Sequence, residues 1–127
     1  MSSFSDYLEN ELLDHVFRNS ALTSPTAVYA ALYTVAPTDA GGGTEVSGNG
    51  YARQSITFGA ASGGAIANTA DVDFMASGGN FGAIIAVGIF DASSGGNLLA
   101  WDAVSSTTIN DGDTFRIATG DLDITLD

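Results

Sequence analysis

The sequence has no cysteine and no lysine, and only one histidine, two prolines and one tryptophan in 127 residues. Without cysteine there is no disulfide, no thiolate metal site and no thiol nucleophile. Without lysine, the permanent side-chain cations are Arg18, Arg53 and Arg116 alone. They face 15 acidic residues, for a formal charge of −12. Such a field repels phosphate and anionic lipid headgroups, so neither nucleic acid nor a membrane surface is an expected partner. A basic protein surface, divalent cations or a saline medium would suit it, and solubility alone would also account for it. No apolar run reaches the ~18 residues that a bilayer-spanning helix needs. The opening MSSFSDYLENELLDH has neither a basic start nor an apolar core, so it does not read as a secretory signal.

What is abundant is glycine, with 16 residues, and apolar side chains, at 45 %. The apolar share argues against disorder and the length fits one core. The glycines do not recur every third residue, which excludes a collagen helix.

The first segment has helical spacing. Phe4, Leu8, Leu12 and Val16 fall four residues apart, and Leu13 and Phe17 widen the stripe. Ser3 can cap the start with Asp6 three residues on, and Asn19 can close the end in a left-handed conformation. These signals predict a helix over residues 4–17. Its stripe either covers the end of its own domain or docks on another subunit.

After residue 20 the period changes. Segments rich in β-branched and aromatic residues are predicted as strands: 27–35, 51–58, 65–74, 84–91, 98–104, 114–118 and 122–126, with a short eighth near 107–109. Glycine clusters such as DAGGGTEVSGNG, ASGGNFG and DASSGGN separate them, where positive φ in turns costs little. The expected fold is all-β: an antiparallel β-sandwich, jelly-roll-like, of seven or eight strands, with one N-terminal α-helix. Residues 1–20 would form a docking helix and residues 21–127 the sandwich. Residues 84–90 are continuously apolar, so this strand should be central, buried on both faces or covered by a neighbouring subunit. Trp101 is expected to anchor the core, with an interface anchor as the alternative.

No catalytic constellation rises above background. His15 is a lone histidine on an amphipathic helix, without the supporting motif of a triad or a metal cluster. Asp111-Gly112-Asp113 lacks the rest of a calcium loop and reads as a turn. Asp71 with Asp73, and Asp121 with Asp123, share strand faces and read as a solvated exterior. No glycine cluster precedes a Lys-[Ser/Thr] pair, so nucleotide binding is rejected. The chain is therefore expected not to be an enzyme and to need no cofactor and no metal.

Four ordered segments carry a family resemblance: SDYLENELLDHVF (5–17), APTDAGGGTEVSGNGYARQSITF (36–58), VGIFDASSGGNLLAW (87–101) and GDTFRIATGDLDITL (112–126). They resemble small tailed-phage virion proteins commonly labelled tail fibre proteins, and are also similar to capsid decoration, or cement, proteins. The resemblance implies a structural virion component, and a homotrimer. A single acidic β domain with no internal repeat suits a knob set on the outside of a head, which makes a capsid decoration protein bound to the major capsid protein the first expectation. A tail fibre or tail-tip module contacting the host receptor is the alternative. The expected partner-binding residues are Phe4, Leu8, Leu12, Leu13, Val16 and Phe17.

Overall fold

The computed structural model describes residues 3–126, so Met1, Ser2 and Asp127 lie outside the described residues. A two-residue strand, β1 (Ser3–Phe4), leads into α1 (Asp6–Phe17). Nine strands follow: β2 (Val28–Val35), β3 (Thr44–Glu45), β4 (Gln54–Ile56), β5 (Ala65–Ala67), β6 (Val72–Met75), β7 (Gly82–Phe90), β8 (Leu98–Ile109), β9 (Thr114–Ile117) and β10 (Asp123–Thr125). The main sheet runs β1-β8-β7-β2-β3, with β4 also on β2. The pairs β10-β5 and β6-β9 make up the facing layer, and every pairing is antiparallel. The molecule is the all-β sandwich with one N-terminal helix that the period change after residue 20 implies.

The apolar run on β7 is central because both faces of the main sheet are buried. On one face, Ala30 and Leu32 of β2 and Ile84, Val87 and Ile89 of β7 join Val72, Phe74, Ile117 and Leu122 in the main core. On the other, the alternate residues Ala31, Tyr33, Ala86, Phe90 and Leu98 form a smaller cluster flanked by Trp101. A register shift between Ile84 and Ala86 lets Ile84 and Val87 face the same core despite their odd spacing. The chain itself covers this second face, so a neighbouring subunit is not needed to bury it.

Arg53 is the lid of that face. Its guanidinium sits 3.7 Å from the centre of the Phe90 ring. Nε and Nη2 donate to the two Glu45 carboxylate oxygens, each at 2.9 Å, and Nη1 donates to the carbonyls of Ala92 (2.9 Å) and Gly95 (2.8 Å). One side chain thus ties β3 to the 91–97 loop. Tyr51 adds to the network, its hydroxyl donating to Glu45 at 2.6 Å and accepting from the Leu32 N–H at 3.1 Å. Burial pushes the Glu45 carboxyl up, but the hydrogen bonds from Arg53 and Tyr51 outweigh it and hold the group below its usual 4.5. Asp73 is lowered likewise by its hydrogen bonds to Arg116. A depressed folded pKa gives stability that is present above the unfolded value and is lost as pH falls through the folded one. Acid unfolding should therefore set in below pH 4.5. Thermal unfolding followed by circular dichroism against pH checks this, and the acid loss should shrink in Glu45→Gln.

Two departures from the sequence reading have local causes. The segment 65–74 is two strands, because Asn68 interrupts it. Asn68 is 3 % exposed. Its amide nitrogen donates to the carbonyls of Ala70 (2.8 Å) and Ala118 (3.1 Å), and its oxygen accepts from the N–H groups of Gly120 (2.9 Å) and Leu122 (3.0 Å). One side chain satisfies four backbone groups where the chain turns out of β5. Asn68→Ala should destabilise by about 1–3 kcal/mol, since the buried Leu122 N–H loses its acceptor and the Ala70 carbonyl its donor, while the Gly120 N–H and the Ala118 carbonyl keep a backbone partner each. Urea unfolding measures it. Conversely, 98–104 and 107–109 form one continuous strand, β8, whose exposed outer half bulges at the serine and threonine run, where the pairing to β7 shifts from Ala86–Ala103 to Ile84–Thr107.

Candidate docking surface

Among the described residues, the backbone hydrogen bonds that tie the helix to the sandwich lie at its N-terminal end. Ser5, 2 % exposed, is the cap: its hydroxyl accepts from the Leu8 N–H at 3.1 Å and its own N–H donates to the Leu99 carbonyl at 2.8 Å. The Asp6 N–H donates to the Asp39 carbonyl at 2.9 Å, and β1 pairs with β8 through Phe4 and Ala100. The cap thus lies two residues beyond Ser3, because the chain must first complete the β1 pairing. At the far end the Arg18 and Ser20 N–H groups both reach the Asp14 carbonyl, with Asn19 at φ 54. His15 Nδ1 lies 3.2 Å from the Leu22 N–H, which donates to it. The ring therefore fixes the exit from the helix.

The apolar stripe divides between two environments. Phe4 and Leu8 are half-buried and line an apolar cleft of about 280 Å3 with Val28, Phe58, Leu99 and Ile124. Leu12 is also half-buried. Leu13, Val16 and Phe17 are 55 %, 64 % and 78 % exposed. Geometry explains the split. At ~100° per residue, Leu13 and Phe17 stand about 140° and 180° round the helix from Leu8. A stripe that wide cannot rest on one sheet. The three exposed residues are spaced i, i+3 and i+4, so they form one patch. Glu9 lies one turn before Leu13, and Arg18 is paired with Asp14 at 3.3 Å.

The other candidate groups are occupied within the chain. Asp73 takes a bidentate pair from Arg116 (2.7 and 3.0 Å), and Asp71 accepts from the Thr119 N–H and hydroxyl. Asp111 accepts from the Gly78 N–H at 3.0 Å and Asp113 from the Asn110 N–H at 3.0 Å, so the Asn-Asp-Gly-Asp segment is a turn that its own carboxylates brace. Trp101 donates from Nε1 to Asp39 at 2.9 Å and packs on the smaller cluster. Among the described residues no group of three or more histidine, aspartate or glutamate side chains is placed to hold a metal ion. Among them, too, no helix is long and apolar enough to cross a membrane.

A protein-family model described as podophage GP4 fiber I protein gp80 matches residues 3–125. The chain belongs to the fiber I gp80 family. The match runs from β1 through β10, so the anchored helix and the sandwich are both within what the gp80 family shares. No curated protein matches the chain. Membership of the fiber I family makes it a phage virion structural protein.

Proposed function

We propose that the chain is a non-enzymatic module of a tailed-phage fibre, seated on another virion protein through the exposed end of α1. The family match over residues 3–125 carries the reading, since the family is named for a fibre protein. The seat is argued from exposure. Phe17 and Val16 are the most exposed of the large apolar side chains on a domain whose other apolar residues mostly pack.

Charge supports a partner other than a sister copy. The patch is flanked by Glu9, and the chain has no lysine to offer in return. Its three arginines pair with its own Asp14, Glu45 and Asp73. The surface that fits is therefore an apolar seat with a basic rim on a different virion subunit. The homotrimer would use other surfaces, and light scattering on the purified chain measures it directly.

A second reading, capsid decoration on the major capsid protein, is favoured by a single compact sandwich without repeats and by the −12 charge, which suits a shell exterior. Quantifying the chain in purified tails and purified heads separates the two. The fibre reading expects it with tails at a few copies per particle. Hundreds of copies on heads would overturn that reading in favour of decoration.

A further inference from the structure

A cleft of about 610 Å3 opens beside the smaller cluster, between the start of α1, the 39–43 loop and residues 96–98. Its size is that of a small-molecule site, typically ~300–1,000 Å3. Tyr33 lines it and is 3 % exposed. The ring lies so close over Gly88 that a Cβ there would come within 2.9 Å of Cε2. Among the described residues its hydroxyl makes no hydrogen bond, and no fully enclosed side-chain polar atom lacks a partner. The hydroxyl therefore reaches open space, at the cleft that Tyr33 lines. Burial, with the Glu45 charge beside it and Arg53 opposing, pushes this phenol up to about 12, so it stays a donor near neutral pH.

The walls are built rather than loose. Thr38 and Gly41 exchange two backbone hydrogen bonds of 2.8 Å across the loop tip. Gly43, at φ +75, fits where a Cβ would stand 2.6 Å from the Val35 carbonyl oxygen. Asp39 is held by Trp101 through one carboxylate oxygen. Asp6 and Tyr7 form the rim on the helix side, and Phe90 and Leu98 supply apolar surface.

The lining sets the chemistry of an occupant. The floor offers a buried hydroxyl donor, the walls offer carboxylates that only accept, and no cationic side chain lines the cleft. An anion is repelled. A bare cation satisfies the carboxylates but leaves the phenol O–H without an acceptor. A ligand that donates, accepts, carries no negative charge and has an apolar face answers every group present. The geometry points to this cleft as a binding site for an uncharged saccharide unit, held by the Tyr33 hydroxyl and the Asp39 carboxylate against Phe90 and Leu98. This goes beyond the seating of the module and holds whether the module sits on a tail or a head.

The test titrates the purified full chain with methyl glucoside, methyl galactoside, methyl mannoside, N-acetylglucosamine, maltose and lactose. Trp101 fluorescence, which reports on the Asp39 wall, and amide chemical shifts follow each titration. At least one neutral sugar should bind saturably in the millimolar range, shifting amides of residues 39–43 and 96–98. Tyr33→Phe keeps the ring and removes a hydroxyl with no partner among the described residues, so it should unfold at the same temperature yet bind about tenfold more weakly. No saturable response across the panel overturns the proposal, as does equal binding by folded Tyr33→Phe. Glucuronate binding as tightly as a neutral glucoside also overturns it. Calcium or ethylammonium shifting these amides where no sugar does overturns it in favour of a cation site.

Discussion

Arg53→Ala is expected to lower the unfolding free energy by about 3–5 kcal/mol, the cost of breaking a buried pair from one side. The Arg53 side chain is 8 % exposed and that of Glu45 25 %. Removing the guanidinium leaves the Glu45 carboxylate with the Tyr51 hydroxyl as its remaining donor, leaves the Ala92 and Gly95 carbonyls without theirs, and uncovers the Phe90 ring. Domains of this size are stable by only ~5–15 kcal/mol, so the loss is a large share of the total. Urea unfolding of the variant measures it. Glu45→Ala should also destabilise, but by less, because the arginine keeps the Ala92 and Gly95 carbonyls and the Phe90 ring. The double variant should then cost clearly less than the two singles together, since each removes the partner whose desolvation the other exposes. Additive losses would mean that the pair is not the lid of the second face.

Val16→Gln with Phe17→Gln is expected to abolish occupancy on particles while leaving the fold intact. Residues 64 % and 78 % exposed contribute little to their own domain. Glutamine keeps helix propensity and adds no charge, whereas an aspartate would oppose the dipole at this end of α1. On a partner the same side chains, with Leu13, would contribute about 1.5–3 kcal/mol each before association costs. Exposed charge pairs at the rim add little affinity and mainly speed encounter. Occupancy of the native chain should therefore survive raised salt. Complementation of particles lacking the chain, with occupancy read by quantitative mass spectrometry and folding by circular dichroism, measures both halves. Leu8→Asp is the contrast: Leu8 packs on the main core, so that change should unfold the domain instead.

Local signals in the sequence reach as far as local causes do. The β7 run Ile84–Phe90 announces a central strand because no polar residue interrupts it, and α1 announces itself by four-residue spacing. The break at Asn68 is not legible, since its four partners come from residues 70 and 118–122, and only folding brings them together. β1 is too short to carry a period. The apolar stripe of α1 is legible as a set, but its division is not. Which of Leu8 and Phe17 turns inward depends on the β1–β8 pairing and the Ser5 cap, which fix the helix's rotation on the sheet. Likewise Tyr33 reads as one more strand aromatic. Its unpartnered hydroxyl emerges only where the chain's start, the 39–43 loop and residues 90–98 converge.

The central claim, that the free end of α1 is the seat on the virion, is tested most directly by a photo-cross-linker in place of Phe17 on assembled particles. The account predicts one dominant cross-link, from this position to a different virion polypeptide, and none from a control at exposed Asp121 on the opposite end of the chain. No cross-link from position 17, or links only to sister copies of this chain, would contradict it.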